Sequence, residues 1–248
     1  MTTANDLQPG TPFSGTAMIL AAGRGERMRP LTDTLPKALL AVGGRPLIEW
    51  HVRRLAQAGF REIVVNHAHL GHMIEAALGD GTRYGAHLRY SRETVALETA
   101  GGVAYALDLL GAEAFPVVNA DVYADFDYRL LADRVRTVLA HPECAGHLVL
   151  VDNPPHHGAG DFGLEGDRVR ATGHPLLTFA GIGVYRRDFF SGVVRGQPAR
   201  LAPLLRAAIA RDALSGEHYR GRWVDVGTPE RLAELDTALR REAAHVHP

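Results

Sequence analysis

Two glycines, a run of small residues and a cluster of cations fall together near the start of the chain, in Leu20-Ala21-Ala22-Gly23-Arg24-Gly25-Glu26-Arg27-Met28, followed by Pro36-Lys37. Small residues let a backbone approach a ligand closely, and consecutive N–H groups in such a loop cradle phosphate oxygens. Arg27 and Lys37 supply charge to oppose a polyphosphate. Two better-known phosphate loops do not fit: there is no Gly-x4-Gly-Lys-Ser/Thr, and Met28 stands where a dinucleotide fingerprint needs its third glycine. The competing reading, a tight turn using glycine for its freedom alone, does not explain the cations.

Lys37 is the single lysine, so 26 of the 27 basic residues are arginine. A GC-rich genome would produce that bias. A lysine that survives it points to a need for a compact ammonium rather than a planar guanidinium. Asp121, after an apolar run, and Asp225, within Trp223-Val224-Asp225-Val226-Gly227, offer two carboxylates at strand edges. Such a pair suits magnesium, which takes a few carboxylates and completes its shell with phosphate oxygens and water. Helix capping is the bland alternative for either acid alone.

Other reactive side chains carry less. His67, His69 and His72, and the pair His156-His157, lack an evident thiolate or carboxylate partner for zinc. Cys144 has no second cysteine to pair with and reads as a spectator thiol. No nucleophile–histidine–acid set is apparent.

The elements that must position these residues follow a βαβ rhythm. Apolar runs at 17–21, 62–66, 87–90 and 115–119 read as strands, and 46–58, 70–78 and 101–109 as helices. This predicts an α/β architecture, a mostly parallel sheet flanked by helices, with ligands at the carboxyl ends of its strands. Strands at 147–151, 160–170, 176–185 and 223–226, and helices at 201–212 and 228–241, are expected to form an acceptor-binding subregion continuous with that sheet. Residues 1–16 read as a disordered leader. A net charge of −1 excludes a generic polyanion-binding surface, hence nucleic acid. No apolar run is long enough to span a membrane and no signal peptide is evident, so a cytoplasmic protein is expected.

The chain resembles the sugar nucleotidyltransferases, whose signature Leu-Ala-Ala-Gly-x-Gly-x-Arg-Met-x-Pro-Leu-Thr with Pro-Lys stands complete from Leu20 to Lys37. The likeness continues through Val42-Gly43-Gly44-Arg45-Pro46, Leu97-Glu98-Thr99-Ala100-Gly101-Gly102 and Asn119-Ala120-Asp121. Within that family it is most similar to the N-acetylmuramate 1-phosphate uridylyltransferases of peptidoglycan recycling, on Val151-Asp152-Asn153-Pro154, His156-His157-Gly158, Gly160-Asp161-Phe162 and Gly216-Glu217-His218-Tyr219-Arg220-Gly221.

The resemblance implies a single-domain, Rossmann-like nucleotidyltransferase fold over 17–242, with a nucleotide part near 17–125 and an acceptor part near 126–242. It implies that Leu20, Ala21, Ala22, Gly23, Gly25, Glu26, Arg27 and Lys37 surround the nucleotide, with Glu98, Thr99 and Gly101 beside base and ribose. Arg27, Lys37 and Asp121 would serve catalysis, and Asp121 with Asp225 would hold Mg2+. Asn119, Asn153, Asp161 and Gly181 would meet the sugar 1-phosphate. The implied reaction joins UTP to N-acetylmuramate α-1-phosphate and releases pyrophosphate, in a monomer. Mannose or glucose 1-phosphate with GTP or dTTP is the alternative within the family, and a non-catalytic nucleotide-sugar sensor the alternative outside it. Many relatives hold the acceptor phosphate with a second lysine, which this chain lacks.

Overall fold

A computed structural model describes residues 13–246. Strand β1 (Gly15–Leu20) leads through α1 (Leu31–Thr34) and a small hairpin, β2 (Ala41–Val42) and β3 (Arg45–Pro46), into α2 (Leu47–Gln57). The βαβ succession then runs β4 (Phe60–His67), α3 (Gly71–Leu78), β5 (His87–Arg92), α4 (Glu98–Leu110) and β6 (Ala114–Asn119). There follow β7 (Val122–Ala124), α5 (Arg129–Ala140), β8 (Gly146–Val151), β9 (Gly163–Glu165), β10 (Arg168–Arg170) and β11 (Thr178–Arg186). The chain ends through α6 (Leu201–Ala210), β12 (Leu214–Tyr219), β13 (Trp223–Asp225) and α7 (Pro229–Val246).

Nine strands form one sheet in the order β5-β4-β1-β6-β11-β8-β12-β10-β9. The first four are mutually parallel, β11 runs antiparallel between β6 and β8, and β12 is parallel to β8. The expected mixed, mostly parallel sheet is therefore present, and it passes without interruption from the first half of the chain into the second.

Side-chain alternation explains how the sheet stays covered on both faces. In β1, Ala17 and Ile19 point to the face packed by Val52 and Leu55 of α2 and Leu131 and Val135 of α5. Met18 points to the other face, with Val103 of α4 and Leu205 of α6. Val64 and its neighbours Ile63 and Val65 split in the same way on β4. Each fully buried aliphatic side chain of this kind contributes about 1.5–3 kcal/mol. A third cluster, Val42, Leu47, Tyr123, Val226, Leu235 and Leu239, returns α7 to the N-terminal hairpin.

The differences from expectation are local. Phe13 packs edge-on against Phe60 at 4.9 Å, and Gly15 and Thr16 already belong to β1, so residues 13–16 of the expected leader are part of the fold; residues 1–12 of that leader lie outside the described residues. The expected strand 160–170 folds at Gly166-Asp167 into the β9–β10 hairpin. Helix α4 starts at Glu98, earlier than expected. Helix α5 was absent from the expectation although Leu131, Val135 and Val138 recur at helical spacing. Strand β12 was also absent from it: its sequence, Leu-Ser-Gly-Glu-His-Tyr, has a glycine and two ionisable residues, and its register on β8 supplies the pairing that propensity does not.

Candidate active site

The topology prepares a crevice at β1. The chain leaves β1 toward β4 and β5 and then crosses to β6 on the opposite side, so the loops after β1 and β6 diverge, and ligands of open α/β sheets bind at such a switch. Register aligns the strand ends: Leu20 pairs with Asn66 on one side and Asn119 on the other. These residues stand side by side on the floor of a cavity of about 460 Å³, a nucleotide-sized volume.

Leu20, Ala21, Ala22, Gly23, Gly25, Glu26, Arg27 and Lys37 line this cavity from one side, with Glu98 and Thr99 from another. The loop turns at Gly25, whose φ of 70° is left-handed and whose missing Cβ would stand 3.1 Å from both Lys37 Cβ and Thr32 Cγ2. Thr32 Oγ1 and the Met28 N–H both donate to the Gly25 carbonyl at 2.9 Å, which closes the turn over a fully buried Met28. Glu26 lies at the rim with its carboxylate turned to Arg24, 2.8 Å away. Gly101 is placed differently from the other nucleotide residues. Its N–H donates to the Ala199 carbonyl, and a Cβ there would stand 2.5 Å from the Gln197 carbonyl oxygen, so the 197–199 segment covers it.

A buried polar relay, mostly unforeseen from sequence, ties the loop to the opposite wall. Asn66 accepts from the Ala21 N–H at 2.8 Å and donates to Glu93 Oε1 at 2.6 Å, and Glu93 Oε2 accepts from the Leu97 N–H at 2.9 Å. Burial pushes the Glu93 carboxyl above the usual range, against the lowering effect of its hydrogen bonds. Asn66 carried a weak sequence signal as a polar residue ending an apolar strand. Glu93 had none, because it lies in the polar stretch Ser91-Arg92-Glu93-Thr94.

The second cavity, about 340 Å³, opens beside the first and shares Arg27, Asn119 and Asp121 with it. Asp225 lines it as well. The two carboxylates converge because β13 pairs antiparallel with β7, placing Asp225 opposite Val122, and because the Val226 N–H donates to the Asp121 carbonyl at 2.9 Å. Beneath them His51 bridges the Val122 carbonyl and the Tyr128 hydroxyl, each at 2.7 Å, and burial depresses its pKa to about 4. Held neutral at ordinary pH, it fixes β7 without adding charge.

Asp121 meets a lysine, and Asp225 meets an arginine together with His156, whose Nε2 lies 3.3 Å from Asp225 Oδ2. Lys37 Nζ lies 2.6 Å from Asp121 Oδ2, its stem buried and the carboxylate 41% exposed. Arg231 Nη1 lies 2.8 Å from Asp225 Oδ2. Two carboxylates beside an open cavity leave positions for phosphate oxygens and water, the donor set magnesium prefers. The residues present fit that ion.

Of the sequence-derived acceptor residues, Asn119 and Gly181 line the second cavity. Gly181 sits in an irregularity of β11 with φ of 70°, and a Cβ there would stand 2.7 Å from Asn119 Nδ2. Trp223 Nε1 donates to the Ala180 carbonyl at 2.9 Å and pins this bulge. Asn153 and Asp161 instead fasten the surrounding loops. Asn153 donates to the Leu176 carbonyl and accepts from Thr178 Oγ1, while Asp161 accepts from the Phe179 N–H and pairs with His157. His156 and His157, discounted as zinc ligands, both reach the cavity wall. The dipeptide alone gave no sign of this, since its place depends on the turn at Pro155–His157.

Gly181→Ala is expected to cost about 1–3 kcal/mol from the left-handed backbone and to displace Asn119. Thermal unfolding and kcat/KM measured together check this: activity should fall by more than the lost stability accounts for, and unchanged activity would show that the Gly181 bulge does not shape a substrate site.

This chain belongs to the nucleotidyl transferase family, whose pattern matches residues 16–242. Its fold and its sequence both relate it to sugar-1-phosphate nucleotidyltransferases. It is 53% identical over 222 residues to the N-acetylmuramate alpha-1-phosphate uridylyltransferase of Neisseria meningitidis serogroup B, covering 88% of this chain and 95% of that one. The Caulobacter vibrioides protein of the same name is 33% identical, with 90% and 96% covered. A mannose-1-phosphate guanylyltransferase of Mycobacterium tuberculosis is 30% identical, and the match spans 86% of this chain and 61% of that longer protein. Among solved structures, a Bacillus anthracis protein described as a glucose-1-phosphate thymidylyltransferase superposes with a TM-score of 0.78 at 21% identity, over 92% of this chain and 95% of the other. At that identity the likeness speaks for the fold. No described helix is long and apolar enough to cross a membrane.

Proposed function

We propose that the chain transfers UMP from UTP to N-acetylmuramate α-1-phosphate with Mg2+, giving UDP-N-acetylmuramate and pyrophosphate. The observation that carries a two-substrate transfer is the pair of cavities meeting at Arg27, Asn119 and Asp121. One takes the nucleotide and the other the sugar phosphate, so that the attacking oxygen and the α-phosphorus meet at the shared wall. The relation to the Neisseria and Caulobacter enzymes supports the choice of uridine and muramate.

In this reading the 20–27 loop and Lys37 hold the triphosphate, Asn119 and Gly181 orient the acceptor, and the Glu93–Asn66–Ala21 relay keeps the loop at its distance from the base wall. An oxygen of the acceptor phosphate attacks the α-phosphorus in line, a new P–O bond forms, and the bond to the β-phosphate oxygen breaks. That oxygen is already ionised, so no side chain needs to remove a proton. Magnesium held by Asp121 and Asp225 would offset charge on the phosphates and the leaving pyrophosphate. All these groups come from one chain, so a monomer suffices, and the cytoplasm, where UTP is made, is the natural compartment. A reaction of this kind would return a wall sugar to nucleotide-activated form, in peptidoglycan recycling.

Pyrophosphate release checks the reading, with UTP, GTP, dTTP, CTP and ATP each offered with N-acetylmuramate, N-acetylglucosamine, mannose and glucose 1-phosphates. UTP with the muramate substrate is expected to give the largest kcat/KM. Preference for GTP with mannose 1-phosphate would replace the substrates and keep the mechanism. Silence across the panel would favour a sensor.

A further inference from the structure

Lys37 lies against Asp121, so the acceptor phosphate must find its cation elsewhere in a chain with no second lysine. Arg27 is shared with the nucleotide cavity, where the triphosphate claims it. The geometry points to Arg231 as the residue that binds the acceptor phosphate. This inference rests on the nucleotidyl transfer proposed above.

Arg231 projects from the first turn of α7 with its side chain 17% exposed. Nη1 lies 2.8 Å from Asp225 Oδ2 and 2.6 Å from His156 Nε2, two groups on the wall of the acceptor cavity. Nη2 lies over Gly227, close enough that a Cβ on that residue would collide with it. The same point is 3.1 Å from Arg27 Nη2, and Gly227 itself lines the nucleotide cavity. Two guanidiniums thus flank one glycine where the two cavities meet.

Charge balance then sets the role. With no ligand bound, Asp225 is the anion for Arg231. A divalent cation held by Asp225 would leave the Arg231 guanidinium beside Arg27 with less negative charge around it. Like charges that close repel unless an anion lies between them. The acceptor phosphate arrives at this place carrying two negative charges, and a guanidinium fork matches its oxygens in bidentate fashion. Gly227 adds no side chain of its own between the arginines, and Asp225 Oδ1 lies 3.0 Å from where its Cβ would stand. Pro154, Phe179 and Gly181 line the remainder of that cavity and leave room there for the sugar ring. Arg231 therefore reads the phosphate, which every sugar 1-phosphate shares, and leaves recognition of the lactyl group to other residues.

Arg231→Gln and Arg231→Lys, made in the full chain, test this by kinetics and by titration calorimetry. The ligands are N-acetylmuramate 1-phosphate and N-acetylglucosamine 1-phosphate, with magnesium and a non-hydrolysable UTP analogue present. Loss of a charge-assisted contact should weaken binding of both sugar phosphates about tenfold to hundredfold in the Gln variant. KM for UTP should stay near the parent value, and the Lys variant should recover part of the loss. Weakened binding of the muramate compound alone would overturn the proposal by assigning Arg231 to the carboxylate. Unchanged acceptor affinity with a raised magnesium requirement would also overturn it, leaving Arg231 as a holder of Asp225. If the Gln variant unfolds, the Lys variant decides: an equal partial loss of affinity for both sugar phosphates, at unchanged KM for UTP and normal unfolding temperature, supports the fork at the phosphate, whereas parental acceptor affinity or a selective muramate or magnesium defect refutes it. Should the parent prefer another sugar phosphate in the substrate panel, the same comparison on that sugar still tests Arg231, so failure of the muramate assignment is visible separately.

Discussion

Asp121→Asn is expected to lower kcat by about 10³-fold or more while the protein still folds. The carboxylate stands on the wall shared by both cavities, 2.6 Å from Lys37 Nζ, at the junction where charge on the phosphates rises during transfer. An amide has the same shape but no charge, so it neither attracts a divalent cation nor balances the lysine, and electrostatic stabilisation of this kind is worth several kcal/mol in the transition state. The fold loses less. The Asp121 side chain is 41% exposed, so water screens the ion pair and takes over part of its role when the charge is removed. Each kcal/mol lost lowers the unfolding temperature of a chain this size by about 2–4 °C, and a shift of that order is expected. Excess magnesium should recover little activity, because in the proposed reaction the missing group is a ligand and a charge at once. Turnover within a few fold of the parent would remove Asp121 from the chemistry.

Much of this site was legible in sequence because its parts are local. The 20–27 loop follows β1 directly, and its small residues, glycines and Arg27 fall on one cavity wall because eight neighbouring residues cannot travel far. Asp121 was legible for a similar reason, as an acid just past an apolar strand whose carboxyl end the βαβ rule had already placed. The parallel sheet itself followed from alternating apolar runs and helical spacings. The less legible part depends on pairings between distant segments. Glu93 acquires its role only when β5 lies beside β4 and brings the 93–97 turn under Asn66. Arg231 is one arginine among 26 until β13 pairs with β7 and turns α7 back across the first half of the chain. Asn153 and Asp161 show the opposite limit. Their motifs matched relatives, yet their side chains hold loops in place, and a motif does not distinguish a residue facing a ligand from one shaping the loop around it.

Lys37→Arg is expected to lower kcat/KM by about 10²-fold despite conserving charge. The lysine stem is buried, and a Cβ on Gly25 would approach it to 3.1 Å at Cβ and 3.3 Å at Cδ, so it runs tightly against the phosphate loop. At its end the ammonium sits 2.6 Å from Asp121 Oδ2. A guanidinium is longer and planar and needs donors satisfied in one plane, whereas this channel was shaped around a compact ion. To fit, the arginine must push on the Gly25 turn or on Asp121, and a shift of about 1 Å in either misplaces the phosphates by enough to cost two orders of magnitude. Steady-state kinetics would show KM for UTP rising and kcat falling together, while KM for the sugar phosphate moves less. Lys37→Met, which keeps the stem and removes the charge, should be worse still in kcat and leave the loop undisturbed. An arginine variant with parental kinetics would mean that the channel tolerates either cation, and that a single lysine among so many arginines is an accident of codon composition rather than a requirement of the reaction.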